Sequence, residues 1–583
     1  VKPAPASPPP NQPATELAWG RSDWLLLAGL LIFGFFWLRT TPEFAANLPQ
    51  DAADNCIPAV TFLERGHLGT IIFGQLQPTG RTIGVPLLLI PVYAVFGHFI
   101  GNGIYMILVF ALGTVALVYL IGREIGRRLA GTLAAIFLLA HHGFRLYSQK
   151  IMSEVPNLFF VTLVLALVLM AHRRPQRLWL SLLLGIALGW AVIVRSENTL
   201  LVLPLGALWL TGLLKAHWKH ILVIAACATP MLVLQLAYNH SYYGSVWRNA
   251  YQWIGWFQEP SFALHNATAR GYWTTTRHYP PEFANRMDGN LVHVIKTMLS
   301  QADHSLPFSH PSIWTGRPRA LYQTLLVLRF AFCVAGVVWC FYWWRQRTEV
   351  KTFAICFLII AATTAVFYTF FSWQEERYLM RVISLMCILN GLGVVAVIEL
   401  VRQRWPALDT PLTVSVAGLV GGLVALLAFI SRSGLAYAGD DNLNLYRAMT
   451  TAASQMESNA VVVSNWDPWR IDILITRGTD RQLIPTAKDR DIIRYPASHP
   501  NGISLAPFTA AESPEKLADL MMRQGRSAYL LLRDPFDFRP PPPEVQVLSE
   551  HWDLHPLLSF STPQGQLIGH YLYRLQPKLT IKP

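Results

Sequence analysis

Apolar stretches of membrane-spanning length, almost free of ionisable residues, recur along this chain and limit its fold more than any other feature. Trp24–Leu38, Val155–Met170, Leu178–Val194, Ile221–Tyr238, Phe353–Phe371 and Thr413–Ile430 reach or approach the roughly 20 apolar residues that a helix needs to cross a bilayer. Spans fall near 23–38, 101–121, 129–143, 156–171, 178–194, 198–214, 220–238, 321–343, 352–371, 378–399 and 411–430. The expected fold class is therefore a polytopic α-helical membrane protein of about 11 transmembrane helices. Only 14% of the residues are charged, against roughly 25% in an ordinary globular chain.

The formal net charge of +13 would raise the question of nucleic acid in a soluble protein. Here the basic residues cluster at the ends of apolar blocks, where they orient helices against an anionic inner membrane face, and nucleic acid is not an expected partner. The basic connections are Arg123–Arg128, His172–Arg177, Lys215–Lys219, Arg345–Lys351 and Arg402–Arg404. With the amino terminus inside, all of them fall on the cytoplasmic side, provided that 82–99 does not cross. That segment carries Pro86 and Pro91 and is followed by Gly97, Gly101 and Gly103, which suits an interfacial or re-entrant helix. Cys56, Cys227, Cys333, Cys340, Cys356 and Cys387 show no metal-ligand spacing and read as small core residues.

The expected organisation is a disordered cytoplasmic tail (1–22), a transmembrane domain (23–430) with juxtamembrane helices in its first outer loop, and a C-terminal soluble α/β domain (431–583). In the last of these, a helix is expected near Leu443–Met456 and strands near Ala460–Ser464, Gln482–Pro485, Ser527–Leu532 and Leu567–Leu575. Multi-pass insertion in a cytoplasmic (inner) membrane places the C-terminal domain and the large loops 39–81 and 240–320 on the extracytoplasmic side. The second loop is rich in Trp, Tyr and His, which suits a membrane interface or stacking on sugar rings.

Charged groups gather where helices leave the membrane on that outer face. Asp51 follows the first span, Glu154 lies between the third and fourth, Arg195 and Glu197 between the fifth and sixth, and Glu375-Glu376-Arg377-Tyr378 between the ninth and tenth. Arg81 precedes the interfacial segment, and Tyr147 and Lys150 precede Glu154. Ionisable groups at the edge of hydrocarbon are costly unless paired or wet, so their convergence outlines a hydrated, charge-lined cavity. A lipid-linked phosphate there needs arginine or lysine around its oxygens. An acceptor nucleophile needs a carboxylate to take or orient its proton, and charge growing on a leaving phosphate needs cations already in place.

Each residue also has a purely structural use. Asp51 can cap a juxtamembrane helix running to Glu64, and Glu154 can cap or pair beside Pro156. Glu376 and Arg377 can pair with each other, and Arg195 can extend to the interface. The chain has no glycine-rich ATP-type loop, no HExxH and no CxxC, and His141-His142 lacks a trustworthy ligand spacing.

Taken in order, Asp51, Leu63-Glu64-Arg65-Gly66, Gly80-Arg81-Thr82-Ile83-Gly84-Val85-Pro86-Leu87, Tyr119-Leu120-Ile121-Gly122-Arg123, Tyr147 to Pro156, Arg195 to Pro204 and Glu376-Arg377-Tyr378-Leu379 resemble the C-type, multi-span glycosyltransferase superfamily. The likeness is to its bacterial branch, which includes aminoarabinose lipid A transferase and protein mannosyltransferase relatives, and it covers residues 23–430. It implies that Asp51 is the catalytic base or acceptor-orienting group, with Glu154 as an acceptor or metal contact. It further implies that Arg81, Arg195 and Arg377 hold a polyprenyl phosphate. From its place in the loop, Lys150 can either bind a phosphate or face water, and Glu376, Tyr378, Tyr147 and Glu197 are expected to support the site. The expected partners are a polyprenyl-phosphate-linked sugar, a lipid, glycan or protein acceptor, and membrane lipids. A divalent metal on Asp51 and Glu154 is a conditional expectation, and no cofactor is otherwise implied. The chain departs from the family pattern at Ala52, where a second acid is usual, and at Asn55-Cys56-Ile57-Pro58, where Pro58 would disturb a helix.

The expected function is glycosyl transfer, hexosyl or pentosyl, from a polyprenyl-phosphate donor to an envelope acceptor. A transporter or flippase of lipid-linked saccharide would place ionisable residues near span midplanes, whereas here they stand at one rim. A nonenzymatic envelope-assembly or glycan-binding protein is the remaining alternative.

Overall fold

The computed structural model of the protein describes residues 19–46, 50–72, 75–79, 81–214, 218–243, 317–369 and 379–405, and in the C-terminal part 445–464, 479–485, 522–532, 548–550, 552–561 and 567–578, with a few isolated positions besides. Helix α1 (Arg21–Leu38) starts at Gly20, whose N–H donates to the Asp23 carboxylate at 2.9 Å and so supplies a partner for an amide outside the helix ladder. After it come α2 (Gln50–Arg65), in which Pro58 sits inside the helix without ending it, and a hairpin of β1 (Gly69–Ile72) with β2 (Gln75–Pro78).

Helix α3 (Gly84–Phe96) is the segment for which the charge pattern demands no crossing. Just before its start, Thr82 donates to the Val194 carbonyl at 2.8 Å. Just after its end, His98 meets Glu64 of α2 at 3.2 Å, and Gly101 lies so close to the chain at Pro42, beyond α1, that a Cβ there would stand 1.9 Å from the Pro42 carbonyl oxygen. The segment therefore begins and ends at the same rim of the bundle, packed along α2.

Helix α4 (Ile104–Leu139) is a hairpin of two helical arms. Its path breaks at Gly126 and at Arg127, where φ is 69°, a conformation that favours glycine. The arms then fold back against each other so closely that a Cβ on Gly131 would fall 2.4 Å from the Tyr119 carbonyl oxygen. The spans expected at 101–121 and 129–143 are these two arms.

Helices α5 (Glu154–Arg173), α6 (Leu178–Val194), α7 (Val202–Leu210), α8 (Trp218–Tyr243), α9 (Arg317–Trp343), α10 (Thr348–Thr369) and α11 (Met380–Arg404) complete the described bundle. Among the described residues, six helical segments are individually long and apolar enough to cross a membrane. The span expected at 411–430 lies almost wholly outside the described residues. Lipid is as apolar as leucine, so helices associate in it through close packing at small residues. Gly393 of α11 lies against the Phe332 carbonyl of α9, Gly391 against the Ala130 carbonyl of α4, and Gly185 of α6 against the Ile224 carbonyl of α8.

The basic connections meet at one rim. Asp23, fully buried, pairs with Arg123 at 3.1 Å and Arg128 at 2.7 Å. Arg173 pairs with Glu124 and, at 3.3 Å, with Glu349, while Arg347 donates to the Ile125 carbonyl at 3.0 Å. His172 contacts the Leu213 carbonyl at 2.6 Å, and Ser181 contacts His220 at 2.8 Å. This basic rim joins the start of α1, the turn of α4, the α5–α6 and α7–α8 connections and the start of α10.

The C-terminal part carries α12 (Leu445–Ser454) and a mixed sheet of β3 (Val461–Ser464), β4 (Gln482–Pro485), β5 (Ala528–Leu531), β6 (Trp552–Ser561) and β7 (Leu567–Pro577), in the order β4-β3-β5-β7-β6. Val462 faces a cluster with Met449 and Ala452 of α12, while Val461 and Val463 face the opposite cluster around Trp552. Arg481 donates to the Ala453 and Met456 carbonyls, both at 2.7 Å, and so satisfies the end of α12. Strand β6 was not anticipated from sequence; it carries Pro556, which is accommodated at the sheet edge.

The close approach of the α4 arms has a direct test. Gly131→Ala is expected to force the arms apart at a cost of about 1–3 kcal/mol and to lower the thermal midpoint in detergent. Gly29→Ala, with nothing within 4 Å of its new methyl group, is expected to leave the midpoint unchanged.

Candidate functional site

At the rim opposite the basic one, helix ends deliver charge into apolar surroundings. Glu154 is the first residue of α5 and is 1% exposed. Arg195 follows the last turn of α6 in extended backbone (φ −150°, ψ 124°), which returns its side chain toward α5. Its guanidinium donates to Glu154 at 2.7 Å, to Ser153 at 3.0 Å and to Glu197 at 3.3 Å. The Tyr368 hydroxyl of α10 donates to Glu197 at 2.8 Å and accepts from Arg195 at 3.5 Å. One helical turn deeper, Asn198 donates to Asn157 at 2.6 Å, a second polar pair under the first.

Arg381, in the first turn of α11, stands near this network and was not anticipated from sequence. It is 1% exposed and lies within the electrostatic reach of both Glu197 and Arg195. Thr364 and Thr363 of α10 accept from it at 2.6 Å and 3.3 Å, and each threonine hydroxyl in turn donates to the carbonyl four residues back. The signal was present: Arg381 falls inside the expected span 378–399, and an intramembrane arginine is expensive enough to mark a site. The residue singled out by sequence, Arg377, lies four positions earlier.

The first loop brings a second pair. Asp54, on α2 and 7% exposed, lies 3.5 Å from Arg81. The Thr79 hydroxyl donates to the Asp54 carbonyl at 3.1 Å and accepts from the Arg81 N–H at 3.3 Å. Because Thr82 is bonded to Val194, the residue before Arg195, the Asp54–Arg81 pair and the Glu154–Arg195 network are joined by a short stretch of chain.

Of the residues singled out by sequence, Arg81, Glu154, Arg195 and Glu197 are thus brought to one rim. Asp51 lies near the start of the described α2, and its side chain is outside the described residues. Tyr147 is buried just before Glu154, with the Lys150 ammonium 5.7 Å from its ring centre. Glu376, Arg377 and Tyr378 lie outside the described residues. His141 caps the following turn of helix, accepting from the Phe144 N–H at 3.2 Å, which is a structural use for half of the histidine pair. A metal on Glu154 would compete with the Arg195 guanidinium for the same carboxylate, and among the described residues no three His, Cys, Asp or Glu side chains group as ligands. The described residues do not make a metal site.

Comparison with known proteins bears on what such a rim does. The family model for dolichyl-phosphate-mannose-protein mannosyltransferase matches residues 106–243, the stretch that holds Glu154, Arg195 and Glu197. No curated protein matches significantly by sequence. Among solved structures, ArnT from Cupriavidus metallidurans bound to undecaprenyl phosphate is similar with a TM-score of 0.56 at 11% identity, covering 95% of this chain and 98% of that one. The Archaeoglobus fulgidus oligosaccharyltransferase tethered to an acceptor peptide is similar with a TM-score of 0.52 at 15% identity, covering 94% and 73%. The same archaeal enzyme, AglB, in complex with an inhibitory peptide and a dolichol-phosphate, is similar with a TM-score of 0.50 at 12% identity, covering 97% and 75%. The chain shares the fold of these ArnT and oligosaccharyltransferase structures, and its residues 106–243 match the mannosyltransferase family model.

The buried pairing predicts an asymmetric mutational response. Glu154→Ala, which takes a carboxylate from a buried guanidinium, is expected to cost about 3–5 kcal/mol of stability, read as a lower thermal midpoint in lipid nanodiscs. Lys150→Ala, at a half-buried ammonium stacked beside Tyr147, is expected to shift the midpoint by less than half as much.

Proposed function

We propose that this protein transfers a glycosyl group from a polyprenyl-phosphate donor to an acceptor hydroxyl or amine at the extracytoplasmic face of a cytoplasmic membrane. The observation that carries the reading is the junction, at one rim of a C-type fold, of the Glu154–Arg195–Glu197 network with the Asp54–Arg81 pair. The basic rim at the other end is the cytoplasmic one, in keeping with the bias of lysine and arginine toward that side. ArnT with undecaprenyl phosphate and AglB with dolichol-phosphate support a polyprenyl phosphate as the carrier.

In this reading the carrier's tail stays in the bilayer and its phosphate meets the rim. Arg81, Arg195, Arg377 and Lys150 supply the cations; guanidinium suits phosphate oxygens because it donates paired bonds. The acceptor atom attacks the anomeric carbon as the bond from that carbon to the phosphate oxygen breaks. The electron pair leaves with the polyprenyl phosphate, and the acceptor proton passes to the Asp51 carboxylate, the catalytic base. Fixed cations stabilise the charge that grows on the departing phosphate. A single displacement of this kind inverts the anomeric centre. Glu154 orients the acceptor side, while Glu197, Tyr147, Glu376 and Tyr378 hold the cations and the carbohydrate in register. The acceptor is of the lipid, glycan or protein class found in the envelope.

Purified protein in lipid, offered a panel of polyprenyl-phospho-sugars, is expected to release polyprenyl phosphate. Asp51→Asn is expected to reduce turnover by at least about 100-fold, the usual worth of a general base, with the protein still folded. Normal turnover by Asp51→Asn would remove that residue from the role of base. Movement of lipid-linked sugar across the bilayer with no donor consumed would replace the transferase reading by a transporter.

A further inference from the structure

Helix α8 reaches into the site without contributing a charge to it. Tyr238, 8% exposed, accepts the Thr79 N–H on its hydroxyl at 2.8 Å and donates to the Leu68 carbonyl at 3.0 Å. One turn earlier, the Gln235 side-chain carbonyl accepts the Ile83 N–H at 3.1 Å, while its amide is oriented by Asn239 at 2.8 Å. Ile83 and Tyr238 also share a small apolar cluster with Leu68, Leu87 and Tyr242. Thr79 and Ile83 bracket Arg81. The stretch that carries Arg81 is therefore pinned by α8 at both ends, by the Asp54 carbonyl through Thr79, and by the Val194 carbonyl through Thr82.

A guanidinium on a flexible stem binds a phosphate tightly only if its backbone is already fixed, because otherwise the ordering cost is charged against the contact. Two anchors of this backbone strap are neutral side chains of a helix that is otherwise packed mainly on α6. We propose that Tyr238 and Gln235 are positioning residues, which hold Arg81 at the height where it meets the lipid phosphate and set its spacing from Asp54 and Arg195. This rests on the transferase reading only for the identity of the lipid phosphate.

The test measures binding and turnover separately. Binding of polyprenyl phosphate to the full chain in nanodiscs is compared for wild type, Arg81→Ala, Tyr238→Phe and the double variant, with turnover of a polyprenyl-phospho-sugar followed in parallel. Tyr238→Phe keeps the ring in its apolar cluster and removes only the hydroxyl. It is expected to weaken binding about 10-fold, roughly 1.4 kcal/mol, with the thermal midpoint little changed. In the Arg81→Ala background the same change is expected to weaken binding no further, a non-additivity that general destabilisation does not produce. Gln235→Met, which removes the other anchor, is expected to act in the same direction. Binding by Tyr238→Phe equal to wild type, or equally weakened with and without Arg81, overturns the strap while leaving the transferase reading intact. The predicted binding pattern with no donor turned over by wild type supports the strap and overturns the transferase reading instead.

Discussion

Hydrocarbon solvates neither a charge nor an unpaired backbone group, and the rest of this structure follows from that constraint. A lone buried carboxylate or guanidinium would cost several kcal/mol, so ionisable groups near helix ends must be matched where they stand. The chain matches them at two rims with different economies of contact. At the basic rim Asp23 answers two arginines, and Glu124 and Glu349 answer Arg173, which fixes α1, α4, α5 and α10 against one another. At the opposite rim the matching is distributed, so that one guanidinium, Arg195, touches residues from α5, the 195–201 stretch and α10.

Between the rims, shape takes over from charge. Apolar side chains gain nothing by exchanging lipid for protein, so glycines that let backbones touch decide which helices become neighbours. Gly122 and Gly131 close the α4 hairpin, Gly336 and Gly393 join α9 to α11, and Gly185 and Gly189 join α6 to α8. These contacts set the height of each helix end. Arg195 finds Glu154, and Thr82 finds Val194, only because α5, α6 and α3 cannot slide past one another.

Much of this was legible in the sequence where a strong rule applied. Span length and basic loops gave the helices and gathered one rim, and the prolines and glycines of 82–103 marked α3 as returning to the rim it left. The site was legible by residue type where charge interrupts an apolar run, as at Glu154, Arg195 and Glu197. It was illegible where the working group is neutral or the partner is distant. No local pattern says that Tyr238 meets Thr79 across 159 positions. Arg381 differs: sequence shows Arg377 and Arg381 on the same edge of a span, and only packing places Arg381 against Thr363 and Thr364. Strand β6 carries Pro556, whose cost vanishes at an edge that only topology reveals.

The two charge pairs at the upper rim differ in a way that divides their labour. Among the described residues, Glu154 and Glu197 offset Arg195 and Arg381, and the network is short, buried and near neutral as it stands. A phosphate entering between those groups would have to displace a carboxylate from a guanidinium already bound at 2.7 Å. Arg81 approaches Asp54 at 3.5 Å, and its side chain is 21% exposed against 11% for Arg195. The Arg81 guanidinium is the more accessible of the two to an incoming anion. On the transferase reading, the buried network fixes the helix ends, and the strap holds the more accessible guanidinium, Arg81, in place for the phosphate. The precision required of the site thus resides in groups that need not move when the donor arrives.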